Sequence, residues 1–90
     1  MTRSIRLERR LTHDAALRLW DEIAAQKGEP YAFDCSEVRH LSASAFQVLL
    51  IAARMGRRDG QAVGFRAPSE AFAEGLHLLG GEELLGGGTA

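Results

Sequence analysis

Cysteine is almost missing from this sequence. Cys35 is the only one, which excludes an intrachain disulfide and leaves no thiol pair to begin a metal site. It lies in the apolar run Tyr31-Ala32-Phe33-Asp34-Cys35 and reads as a small buried hydrophobe. Such sparing use fits a reducing compartment. An excess of charge is missing too: 11 Lys and Arg against 12 Asp and Glu leave a formal net charge of −1. Binding a phosphate backbone needs a basic surplus, so nucleic acid is not the expected partner. The longest apolar run, Val48 to Ala53, is far short of the ~20 residues that cross a bilayer, and no membrane insertion is expected. Met1 to Arg10 are charged and contain no apolar stretch of the kind that marks a secretory signal. The expected location is the cytoplasm.

Chemistry-bearing patterns are also scarce. His13, His40 and His77 stand far apart, with no HxH or HExxH spacing. There is no GxxxxGK[ST] and no GxGxxG, and Gly86-Gly87-Gly88 has no helix behind it to hold an anion. Cys35 as a nucleophile would need a base and a lowered pKa, and an apolar strand has the opposite effect on a thiol. Asp21-Glu22 and Glu82-Glu83 read as solvated faces. The expectation is a protein with no metal, no cofactor and no catalytic residue, and so not an enzyme.

What is present is a short chain of ordinary globular composition. Its 90 residues suit one domain with one core. Ser4-Ile5-Arg6-Leu7-Glu8 alternates as a half-buried strand does. Arg3, Arg6, Arg9 and Arg10 make this end locally basic, as charges on an edge strand do. Thr12 is placed to cap a first helix, with Asp14 in its first turn. Ala16, Leu19, Trp20 and Ile23 recur at helical spacing and are expected to face the core. Lys27 and Gly28 supply a helix stop, and Pro30 leads into the strand at Tyr31. A second helix is expected over 43–55, ended by Gly56. Asp59-Gly60 marks a turn, Gln61 to Arg66 a strand, and Ser69 the cap of a third helix carrying Phe72, Leu76 and Leu79. Gly75 lies inside that helix, which points to close packing. Gly80-Gly81 ends it, and Glu82 to Leu85 forms a last turn. The expected fold is α/β, in the order β-α-β-α-β-α, with a small mixed or parallel sheet packed against helices. The core is expected over 4–85, with 86–90 a flexible tail.

The chain is organised around 33–53. Ser36 to His40 form a polar link, and at Leu41-Ser42-Ala43-Ser44 the pattern turns from strand to helix. The helix that follows is so rich in apolar residues that most of its circumference should be covered. Ser42 is its expected N-cap. A strand, a tight loop and a capped helix start leave backbone donors and a positive dipole end facing outward. Asp34, at the strand end, is placed to shape the loop.

These residues resemble the STAS domain, the fold of anti-sigma factor antagonists. Its pattern is a strand, Asp-Leu-Ser-Gly-Val, two or three residues, then Asp-Ser-Ser-Gly-Leu opening an apolar helix. Asp34-Cys35-Ser36-Glu37-Val38 matches the first part, and Ser42-Ala43-Ser44-Ala45-Phe46 falls on the second. The close, Leu78-Leu79-Gly80-Gly81-Glu82-Glu83-Leu84-Leu85, is similar to the family's Gly-Leu-Asp-Glu-Leu. The resemblance implies a protein-binding module. Its partner would be an anti-sigma or histidine-kinase-like protein, or a chemosensory component, since Ala45-Phe46-Gln47-Val48-Leu49-Leu50 looks like a free-standing bacterial subgroup found beside chemosensory genes. In switching members a kinase phosphorylates the Ser that aligns here with Ala43, which has no hydroxyl. Ser42 and Ser44 are the candidate displaced acceptors. The expected binding surface is Arg39, His40, Ser42, Ala43, Ser44 and Gln47, on a monomer or weak homodimer. An alternative is an accessory subunit of a lipid-transport ATPase, as some STAS proteins are.

Overall fold

The computed structural model describes residues 3–26 and 29–86. The helix stop at Lys27 and Gly28, and residues 87–90 of the expected tail, lie outside the described residues. Gly86 itself ends a helix.

Three strands form a parallel sheet in the order β1-β3-β5: β1 (Arg3–Arg6), β3 (Tyr31–Asp34) and β5 (Gly64–Arg66). The register sets Ile5 beside Phe33 and Phe33 beside Phe65. Apolar residues are thereby stacked across neighbouring strands, where cross-strand pairs stabilise a sheet. β3 is central, and Ala32 and Phe33 are both buried. β1 is an edge strand whose arginines and serine face water while Ile5 faces inward.

Helix α1 (His13–Ala24) buries Ala15, Ala16, Leu19 and Ile23. Helix α2 (Ala43–Arg58) buries Ala45, Phe46, Leu49 and Ala52. Helix α3 (Glu70–Leu78) buries Phe72 and Leu76, and the short α4 (Glu83–Gly86) adds Leu84. Thr12, Ser42 and Ser69 cap the first three, each accepting from the backbone N–H three residues on. The β-α-β-α-β-α order expected from the sequence is therefore the frame of the molecule, and among the described residues the strand pairings are all parallel.

Several expectations need correction. Two further strands, β2 (Arg10–Leu11) and β4 (His40–Leu41), pair in parallel as a separate two-stranded sheet. Two residues are too few to show a period. The segment 61–63 is not strand; β5 begins only at Gly64, and Ala62 is exposed. α2 is not covered on most of its circumference: Ile51 and Met55 are 39% and 40% exposed. Only one stripe of α2, formed by Ala45, Phe46, Leu49 and Ala52, is buried, and α1 is the helix packed beside it. Trp20, expected in the core, is 42% exposed. Nor does Gly56 end α2. The helix runs on to Arg58, and Gly60, at φ +76°, makes the left-handed exit that glycine allows. A Cβ on Gly56 would overlap the Gln61 carbonyl, so glycine there lets the returning chain cross close to the helix. Gly75 bears out close packing: a Cβ there would stand 3.1 Å from Leu41 Cβ.

Candidate functional site

The short β2–β4 pairing brings the starts of α1 and α2 together. Arg9 O accepts from the N–H groups of Arg39 and His40, at 2.7 and 3.1 Å, and Leu11 O accepts from Ser42 N–H at 2.9 Å. The chain leaves β2 into the Thr12 cap and leaves β4 into the Ser42 cap. Thr12 Oγ1 accepts from Ala15 N–H at 3.3 Å, and Ser42 Oγ from Ala45 N–H at 3.1 Å. Two capped helix starts therefore stand side by side. His13 Nδ1 and Ser44 Oγ share a hydrogen bond of 3.1 Å that joins them.

Arg39, His40, Ala43 and Gln47 are exposed here, and Ser42 and Ser44 are half-buried. The two serines differ in use. Ser42 serves as the cap, while Ser44 turns toward α1. The first turn of α1 contains Asp14, but that of α2 contains no acidic residue. The positive end of the α2 dipole is thus left without an acidic side chain of its own. Arg39 and His40 add cationic and donor character next to it. Ala43 presents only a methyl group, so an incoming group can approach the first-turn N–H groups closely.

The loop that leads to this corner is anchored at both sides. Asp34 Oδ1 accepts from Ser36 N–H at 3.0 Å and from Ser36 Oγ at 2.7 Å, an Asx-type turn. These bonds, more than Arg6 at 3.6 Å, hold the Asp34 carboxyl below its ordinary pKa. On the other side Ser69 Oγ donates to Val38 O at 2.6 Å while accepting from Phe72 N–H at 3.1 Å. Between the anchors Val38 is fully buried. Cys35 is also fully buried, and desolvation, with the nearby Asp34 charge, pushes its thiol up to about 12. Such a thiol is protonated and inert at neutral pH. Among the described residues no group of three or more His, Cys, Asp or Glu is placed to hold a metal ion, and no helix is long and apolar enough to cross a membrane.

The structure thus gathers Arg39, His40, Ser42, Ala43, Ser44 and Gln47 at one end of α2, with Asp34 below them at the base of the loop. The bond of His13 to Ser44 and the second bond of Ser69 were not among the sequence expectations. Each joins residues 31 positions apart, and no local pattern in the chain reports such a contact.

A parallel sheet, a helix start next to the loop after its central strand, and a cap serine at that start are the features of one fold family. Comparison with protein families matches residues 2–86 to the family described as Mlab, STAS domain. The chain belongs to the STAS family. No curated protein and no solved structure matches it. As a STAS domain it is of the interaction-module type.

Proposed function

We propose that this chain is a non-enzymatic STAS docking module that captures a protein partner at the start of α2. The single observation that carries the reading is the twin helix start. Two capped N-termini lie side by side, with Arg39 and His40 exposed next to them and no acidic residue in the first turn of α2. An acidic or polar segment of the partner fits this surface by charge, and Ala43 leaves it room. The partner class in this reading is an anti-sigma, histidine-kinase-like or chemosensory protein of a bacterial cell. The module is not switched at the usual position, since Ala43 cannot take a phosphoryl group and the ~1.5–2 negative charges it brings. A displaced switch at Ser44 would have to break its bond to His13, and one at Ser42 would destroy the cap. Intact-mass analysis of the protein from cells tests both; an unmodified mass removes the switch.

The test of the docking surface is affinity capture with Ala43→Glu or Ala43→Arg. Either substitution is expected to abolish capture without unfolding the domain. The matched family is named for Mlab and not for the anti-sigma factor antagonists, which favours a second reading of the same surface. In it the partner is the ATPase of a lipid transporter, and a nucleotide-binding subunit co-purifies with the chain.

A further inference from the structure

At the opposite end of the helix pair lies a cavity of about 250 Å³. Trp20, Ile23, Tyr31, Met55 and Val63 form its apolar walls, with Gln26 among them. It is smaller than the roughly 300–1,000 Å³ of pockets for drug-sized ligands, so only a fragment-sized molecule fits.

Gln26 distinguishes this cavity from a packing defect. Among the described residues it is the one polar residue that is buried, at 6% exposure. Its Nε2 donates to Glu22 O at 3.3 Å, which fixes which end of the amide is which. Oε1 is then left buried with no hydrogen-bond partner. Buried carbonyl oxygens are seldom left unpaired. Gln26 is one of the residues lining the cavity, and the last torsion of a glutamine is soft enough to turn Oε1 toward a ligand there at the cost of the single bond to Glu22 O.

The electrostatics of the rim point the same way. Glu29 and Asp59 both line the opening, and Asp59 is partly compensated by Arg58 at 3.7 Å. The cavity lies where α1 ends, and the last turn of α1 holds no basic residue. The negative end of that dipole is thus uncompensated from within its own helix. The last turn of α2 differs, holding Arg57 and Arg58. Burial raises the Tyr31 pKa, so its hydroxyl stays neutral. Aromatic faces, an unpaired acceptor and an acidic rim together suit a cation.

We infer that this cavity binds a small aromatic amine, with its ring between Trp20, Tyr31 and Met55 and its ammonium group toward Gln26 Oε1 and Glu29. The site is separate from the α2 corner and does not depend on the docking reading. Tryptamine is the probe, followed in ¹H–¹⁵N spectra of the full chain, with indole-3-propionate as its anionic counterpart. Tryptamine should give saturable shifts around Trp20, Gln26, Tyr31 and Met55, with a Kd of about 1 mM, as fragment ligand efficiencies allow. The anion should bind at least about 10-fold more weakly, a difference of ~1.4 kcal/mol. Gln26→Met should weaken tryptamine about 10-fold, the effect of losing one hydrogen bond to a charged group. Ala24→Trp, at an exposed position on the cavity wall, should abolish binding while leaving the circular dichroism unchanged. The inference is overturned if tryptamine gives no saturable shifts, if the anion binds equally well, or if Ala24→Trp leaves binding intact.

Discussion

Replacing Ser69 with alanine separates two roles that one hydroxyl fills. Ser42 and Ser69 cap their helices with the same geometry, each accepting a backbone N–H at 3.1 Å. Loss of such a cap costs about 1 kcal/mol. Ser69 Oγ also donates to Val38 O at 2.6 Å, and a hydrogen bond of this kind contributes a further ~1 kcal/mol. Ser42→Ala should therefore destabilise the domain by about 1 kcal/mol, and Ser69→Ala by about 2 kcal/mol. In a domain of this size each kcal/mol lowers Tm by roughly 4–8 °C, so the two variants should differ by about that much. Thr12→Ala, whose cap bond is longer at 3.3 Å, belongs with Ser42→Ala or below it. Urea titrations followed by circular dichroism give the free energies. Hydrogen exchange should show faster opening of residues 38–40 in Ser69→Ala than in Thr12→Ala. If Ser69→Ala is no more destabilising than Ser42→Ala, the bond across to the loop contributes nothing and the account of how the corner is held is wrong.

Three other predictions follow from buried and paired groups. The Cys35 thiol, raised from 9.0 to about 12, should be unreactive to disulfide reagents at neutral pH until the domain unfolds. Its raised folded pKa means that stability is fully present below the unfolded value and falls as pH rises from about 9 toward about 12, by ~1.4 kcal/mol per unit at most. A Cys35→Ala variant should lose that slope in alkaline denaturation. His77 Nδ1 lies 2.9 Å from Glu82, and this hydrogen bond and charge raise the imidazole pKa. The pairing stabilises the protonated form, so its contribution is present at acid pH and fades as pH rises through the folded pKa; NMR titration of Glu82→Gln should show the value fall back. A Cβ at Gly81 would overlap the Phe46 ring, so Gly81→Ala should cost about 1–3 kcal/mol in chemical denaturation, the range for overpacking.

Much of the fold was legible because the signals were local. Cap residues at Thr12, Ser42 and Ser69, alternation in β1 and the apolar run at β3 each act within a few residues, and all three caps form as read. The errors came where tertiary placement decides. Trp20 has helical spacing with the core residues of α1 but stands half in water. Gly56 reads as a stop but is required by the crossing chain at Gln61. Of the candidate site, the cap and the exposed residues around it could be read from the turn in hydrophobic pattern at Leu41-Ser42. The neighbouring α1 start could not. It arrives through a parallel pairing only two residues long, too brief to leave a pattern in either segment.

Capture of a protein partner through the start of α2 is the central claim, and one substitution tests it most directly. Glutamate at position 43 complements the helix dipole and should not weaken the fold, yet it places a negative charge where an acidic segment would dock. Wild-type and Ala43→Glu proteins, shown by circular dichroism to be equally folded, would be used to capture partners from native cells, quantified by mass spectrometry. The account predicts a protein retained by the wild type and lost with Ala43→Glu. Recovery of the same proteins in the same yield with both would contradict it.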